Sequence, residues 1–306
     1  MEEILIDGDT MALIKRRMTI AGGANGIGAA TVSVFSHAGA HVFHYDCARK
    51  HGIELNRLLL SEAGPNSGSS TFIKADVADY EAQLRVFDAA LDRYGTVDMT
   101  IYCAGIEDSD GWMAGELNLE SVRKIPTPLR NVIGVNLTGC LYFCCIALAY
   151  LKCSPNHLGG QPKSLTLISS LLGFTEVPGS TAYIASKHGI GIMRSLRATS
   201  MLDFNVRVNT ICPWVTDTRM YRDTFNAVKK SIVTLVKPGE VGSMIKIDKI
   251  RAPSVMRKLK SLKVFQVWIT NVANHISRLT ISEKESFLRV FAFEETNDEV
   301  LLNSVR

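Results

Sequence analysis

Tyr183 and Lys187 stand four residues apart in the stretch TAYIASKHGIG. Side chains at i and i+4 of a helix share a face, so an ammonium would lie beside a phenol. Such a pair can move a proton at an alcohol or carbonyl oxygen without a metal, provided a cofactor carries the hydride. The same spacing also describes a Tyr and a Lys that merely share a helix surface. A second constellation, AGGANGIG at residues 21–28, bears on which reading holds. It follows an apolar run and opens a helical pattern, the setting of a dinucleotide-binding loop. Gly22, Gly26 and Gly28 permit a tight turn, close approach to a pyrophosphate and tight helix–strand packing, while the helix N-terminus offers free N–H groups to phosphate. Asp46 lies eighteen residues beyond Gly28. A carboxylate there accepts hydrogen bonds from ribose hydroxyls and repels a 2′-phosphate, and Asn25 adds no positive charge, so NAD is favoured over NADP. Asp76 either caps an adenine pocket or is an ordinary strand-end acid.

These residues need a frame. Apolar runs at 18–22, 40–46, 71–77, 97–105, 164–170 and 205–212 read as strands. Helical patterns fall between them: from the glycine cluster to about Ser36, then 48–62, 79–95, 129–151 and the segment opened by Tyr183. Alternating strands and helices with short connections predict an α/β fold, a Rossmann-like doubly wound parallel sheet in a single domain. Residues 1–228 are expected to form the dinucleotide-binding catalytic domain, with residues 229–306 a divergent basic C-terminal region. Residues 229–306 hold 14 Lys/Arg against 8 Asp/Glu, whereas the remainder holds 20 against 22.

Composition excludes several classes. Apolar residues at 46% and charged residues at 21% suit a chain with a substantial core. A net charge of +4 is too small to argue for nucleic acid. The seven cysteines are scattered, with no pair of CxxC units to suggest zinc, and read as free thiols in a reducing, cytoplasmic setting. The opening MEEILIDGDTMALIKRR is too acidic and too weakly apolar for a signal peptide. The run GCLYFCCIALAYL is shorter than a bilayer span and reads as a buried helix.

Taken in order, GGANGIG, ADVAD, CAG, GVNLTG, ISS, YIASK and VRVNTICP resemble the short-chain dehydrogenase/reductase family over residues 18–220. ADVADYEAQLR, ASKHGI and VRVNTICP are similar to the NAD-dependent 15-hydroxyprostaglandin dehydrogenases of that family. The resemblance implies a catalytic set of Tyr183, Lys187, Ser170 and Asn136. Tyr183 would be the proton donor and acceptor, and Lys187 would lower its pKa and hold the nicotinamide ribose. Ser170, or its neighbour Ser169, would bond the substrate oxygen; Asn136 would kink the middle helix and help hold a proton-relaying water. It further implies cofactor contacts from Gly22, Asn25, Gly26, Ile27, Gly28, Asp46, Asp76, Val77, Ala104, Gly105, Tyr183, Lys187 and Thr218. The expected activity is NAD(H)-dependent interconversion of a small apolar secondary alcohol and its ketone, in a homo-oligomer.

The chain also departs from the family pattern. Ala21 stands where a Thr is usual, and Tyr102 and Cys103 replace two asparagines that stabilise the central strand. Trp214 replaces a Gly after Pro213, where it either walls or crowds the substrate pocket. Residues 253–269 form a basic amphipathic pattern in place of a closing helix and strand. That pattern reads first as a face packed on the core or on a second copy, and second as a membrane-surface contact. The alternative function is therefore a non-catalytic NAD-binding homologue with an impaired substrate pocket.

Overall fold

Among the described residues of this computed structural model, six parallel strands form a sheet in the order β3-β2-β1-β4-β5-β6. They are β1 (Arg17–Ala21), β2 (His41–Asp46), β3 (Ser69–Lys74), β4 (Met99–Tyr102), β5 (Lys163–Ile168) and β6 (Val206–Ile211). The α-helices among the described residues are α1 (Gly26–His37), α2 (Arg49–Ser61), α3 (Tyr80–Tyr94), α4 (Thr127–Ile133), α5 (Gly139–Cys153), α6 (Thr181–Ile192) and α7 (Leu196–Phe204). A π turn, Gly134–Thr138, joins α4 to α5. The structure describes residues 16–107, 118–123, 125–156, 162–174, 180–192, 195–213, 216 and 218–223. Trp214, the change of character at residue 229 and the basic segment 253–269 lie outside the described residues.

Strands covered on both faces must be apolar on both faces. All residues of β4 and β5 are buried, as are four of five in β1, while the edge strand β3 has none fully buried. α1 packs on α2 and α3 packs on α5, so helices cover the sheet on either side. The core on the α3–α5 side gathers Phe43, Tyr45, Val86, Phe87, Phe143, Ile146, Leu165 and Leu167. Phe87 and Phe143 meet edge to face at 5.5 Å. α3 is bounded by its own chemistry: the Asp79 carboxylate accepts from the Ala82 N–H at 3.0 Å, and Gly95 closes the helix in the left-handed region at φ 69°.

Three strands end two or three residues earlier than the sequence predicts, because a strand runs only as far as its neighbour pairs with it. β3 is paired with β2 from Ser69 to Lys74 and stops where β2 stops, at Asp46. Asp76 therefore lies beyond the strand, exposed, with its Oδ1 accepting from the Ala78 N–H at 2.9 Å. β4 leaves the sheet after Tyr102, and β5 after Ile168. The middle helix is longer than expected. With its π turn it runs from Thr127 to Cys153, 27 residues, apolar and long enough to cross a membrane by length and composition. Val132, Asn136, Cys140, Phe143, Cys144, Ile146, Ala147 and Leu151 along it are buried in the protein.

Adjacent β1 and β4 mark the point where the strand order reverses. In open parallel sheets a ligand crevice forms there, outside the carboxyl ends of the strands. The glycine loop, Ala104, Gly105, Ser170 and α6 all follow strand ends at that edge.

Candidate active site

The glycine loop is held by backbone and by contact. The Gly22 and Gly23 N–H groups donate to the Tyr45 carbonyl at 2.9 and 3.1 Å. Gly22 has φ +72°, and a Cβ there would lie 2.5 Å from the Cα of Ala104. A Cβ on Gly28 would collide with the Gly22 carbonyl oxygen, so the first turn of α1 can lie on the loop only without one. Gly28→Ala forces backbone apart and is expected to destabilise the fold by about 1–3 kcal/mol. It should also weaken nicotinamide-cofactor binding at least about tenfold, near 1.4 kcal/mol, by titration calorimetry. Unaltered affinity would show that the loop does not bind the cofactor.

Asn25 is exposed at the N-cap of α1 and makes no side-chain cap hydrogen bond. The loop therefore presents a helix N-terminus, a cradle free of side-chain bulk and the methyl of Thr218, which would lie 3.3 Å from a Cβ on Gly26. These features fit a pyrophosphate. Ile27 is half-buried, its carbonyl accepting from the Thr31 hydroxyl at 2.8 Å. Asp46, half-buried at the end of β2, accepts from the Ala24 N–H at 3.2 Å and from the Ala48 N–H at 2.9 Å. Its carboxylate thus braces two loops and retains lone pairs for a ribose. Val77 is buried, its carbonyl taking a 2.6 Å bond from Gln83 Nε2.

α6 and β5 bring Tyr183, Lys187 and Ser170 together. The Ser170 hydroxyl is hydrogen-bonded to the Tyr183 side chain and also accepts from the Leu172 N–H at 3.1 Å. Ser169 points elsewhere: its hydroxyl is buried and donates to the Lys187 carbonyl at 2.7 Å. Lys187 is buried, with Nζ 5.4 Å from the centre of the Tyr183 ring and donating to the Ile168 carbonyl at 3.1 Å.

The electrostatics correct one expectation. The resemblance implies a tyrosine with a lowered pKa. Instead, burial pushes the Tyr183 phenol up to about 12, with Ser170 pulling it down and Glu107 pushing it further up. Burial acts on Lys187 in the opposite sense, bringing its ammonium down to about 8 against the opposing pull of Cys140, Cys103, Cys212 and Glu107. Removing either charge from water disfavours the charged form.

Asn136 is fully buried in the π turn and ties three segments together. Its Oδ1 accepts from the Ile106 N–H at 2.8 Å, and its Nδ2 donates to the Ile106 carbonyl at 2.9 Å and to Ser186 Oγ at 3.0 Å. Ser186 in turn donates to the Tyr183 carbonyl at 2.6 Å. Gly105 fits between these groups: a Cβ there would lie 3.4 Å from Lys187 Nζ and 3.5 Å from Asn136 Oδ1.

Sequence reasoning missed Ser186 and Gln83. Buried Gln83 accepts from Tyr45 at 2.7 Å and donates to Val77 and Gly139 carbonyls at 2.6 and 3.0 Å, joining β2, the loop after β3 and α5. Its only trace in the sequence is a polar residue on the inward stripe of α3.

Comparison with known proteins agrees with this architecture. The model of a family described as short chain dehydrogenase matches residues 16–229. A 5′-hydroxyaverantin dehydrogenase of Dothistroma septosporum is 33% identical over 248 residues, covering 78% of this chain and 79% of its own. The NAD(+)-dependent 15-hydroxyprostaglandin dehydrogenase of Bos taurus is 28% identical over 201 residues, 65% of this chain and 67% of its own. Two further curated relatives are matched over 55% of their length. A crystal structure of an NADH-dependent reductase complexed with NAD superposes with a TM-score of 0.56 at 21% identity, over 68% of this chain and 82% of that one, which concerns the fold alone. The chain belongs to the short-chain dehydrogenase family of oxidoreductases.

Proposed function

We propose that the protein is an NAD(H)-dependent oxidoreductase that interconverts an apolar secondary alcohol and its ketone. The observation that carries this reading is the Ser170–Tyr183 hydrogen bond beside buried Lys187, at the sheet's reversal point. The names of the two relatives, both dehydrogenases of hydroxylated compounds, support the substrate class. So do Ile106, Leu119, Val122, Ile125 and Phe174, large apolar side chains left exposed on the segments after β4 and β5. Bound nicotinamide supplies the site that accepts or returns a hydride.

The chain supplies the proton chemistry and the positioning. Gly22, Gly26 and Gly28 with the start of α1 would hold the pyrophosphate, Asp46 the adenosine ribose and Lys187 the nicotinamide ribose. The contacts proposed for Asn25, Ile27, Asp76, Val77, Ala104 and Thr218 line the same path. Ser170 would hydrogen-bond the substrate oxygen and aim it at Tyr183. In the oxidising direction the carbinol O–H gives its proton to the Tyr183 phenolate. The C–H electron pair departs with its hydrogen as hydride, leaving C=O. The reverse restores both, the phenol donating its proton to the new alkoxide oxygen.

The test is reduced-nicotinamide formation from NAD across a panel of apolar secondary alcohols; no turnover with any of them would leave the non-catalytic reading. Cofactor choice is a separate prediction. NAD should bind at least about tenfold more tightly than NADP, because a 2′-phosphate beside Asp46 pairs like charges, a penalty of order 1.4 kcal/mol. Asp46→Asn should narrow that gap, and equal or tighter NADP binding by the natural chain would refute the role given to Asp46.

A further inference from the structure

Tyr102 ends β4 with its ring buried against Phe143, the two centroids 5.3 Å apart. Its hydroxyl crosses to the middle helix and donates to the Val135 carbonyl at 2.5 Å. Val135 sits inside the π turn, next to Asn136. In that turn the Gly139 N–H reaches back five residues to the Gly134 carbonyl, so the ladder is displaced from its usual spacing. A carbonyl in such a widened turn readily takes a donor from outside the helix.

The next link returns to the same strand. Asn136 holds the N–H and carbonyl of Ile106, four residues after Tyr102, at 2.8 and 2.9 Å. The β4 segment is therefore fastened to the π turn at two points, Tyr102 to Val135 and Ile106 to Asn136. Between them lies Gly105, packed between Lys187 Nζ and Asn136 Oδ1. From Asn136 the chain of bonds continues through Ser186 to the Tyr183 carbonyl. Gly139 completes the arrangement, since a Cβ there would lie 2.9 Å from the Tyr102 hydroxyl and 2.7 Å from the Val77 carbonyl. Burial raises the Tyr102 pKa well above the usual phenol range, so it remains a donor wherever the protein works.

We infer that Tyr102 is a positioning residue: by holding the Val135 carbonyl it sets the π turn so that Asn136 clamps the Ile106 loop and the Tyr183 helix in working register. This rests on the function proposed above for Tyr183 and Lys187. It also gives the replacement at Tyr102 a role, because a phenol reaching the helix takes over the bracing of this strand end.

Tyr102→Phe keeps the ring and removes the bond. Amide hydrogen exchange at Ile106 should then quicken about tenfold, beyond any change at Phe87 and Val86 in the α3 core. kcat should fall about five- to twentyfold while KM for NAD stays within about twofold. In an Asn136→Ala background, where the clamp is already gone, Tyr102→Phe should change kcat less than twofold. Two results would each overturn the inference: unchanged Ile106 exchange, or fully additive losses in the double variant. A purely structural tyrosine would lower Tm and leave both readouts alone. If the natural chain turns over no alcohol, the proposed function falls, while Ile106 exchange still decides the role of Tyr102.

Discussion

Tyr183→Phe is expected to reduce kcat by about 10³-fold or more, within the usual range for losing a general acid–base group, and to leave NAD affinity within about twofold. The ring that lies 5.4 Å from Lys187 Nζ remains in this variant, so packing changes little and the loss reports the hydroxyl. The pH profile carries a further signature. With the phenol held near 12, the phenolate fraction grows about tenfold per pH unit below that value, so alcohol oxidation should climb through the alkaline range, while the phenol that ketone reduction uses stays almost fully protonated until the pH nears 12. Lys187, near 8, adds an inflection there as its ammonium is lost. Turnover retained in Tyr183→Phe would remove Tyr183 from the mechanism.

Lys187→Met should abolish more than about 99% of turnover, in the range of a lost catalytic support, yet stabilise the protein at neutral pH. The sign follows from the shift. Lys187 titrates near 10.5 when exposed and near 8 in the fold, so below pH 8 the native state carries a buried ammonium that the unfolded state carries in water. That difference amounts to roughly 3 kcal/mol against folding at pH 7, by the usual 1.36 kcal/mol per unit. The Ile168 carbonyl loses its donor in the variant, which offsets about 1–2 kcal/mol of the gain. Denaturant titration should therefore find Lys187→Met about 1–2 kcal/mol more stable at pH 7. The advantage should shrink between pH 8 and 10.5, where the natural lysine sheds its proton in the fold first. A variant equally destabilised at every pH would contradict the burial argument.

The two variants separate what could be anticipated from what could not. Tyr183 and Lys187 were legible because i and i+4 on a helix share a face whatever surrounds them. Their pKa values were not, since proximity alone suggested a lowered phenol, whereas removal from water dominates both groups. Ser169 and Ser170 could not be distinguished from neighbouring positions in one motif. The strand directs one hydroxyl to the Lys187 carbonyl and the other to the phenol, because successive side chains leave a strand end on opposite sides.

Short-range physics thus wrote the order of strands and helices, the glycine loop and Asp46 at the end of β2 into the local pattern of residues. Side-chain alternation, helical period and turn chemistry each act over a few positions, so they can be read from the chain alone. The strand ends, the π turn and the bracing of the site belong to the tertiary structure. Tyr102 meets Val135 across 33 residues, Asn136 meets Ser186 across 50 and Gln83 meets Gly139 across 56. No periodicity encodes those partnerships. They arise when the sheet closes, water leaves and every buried donor must find whichever acceptor the fold has brought within reach.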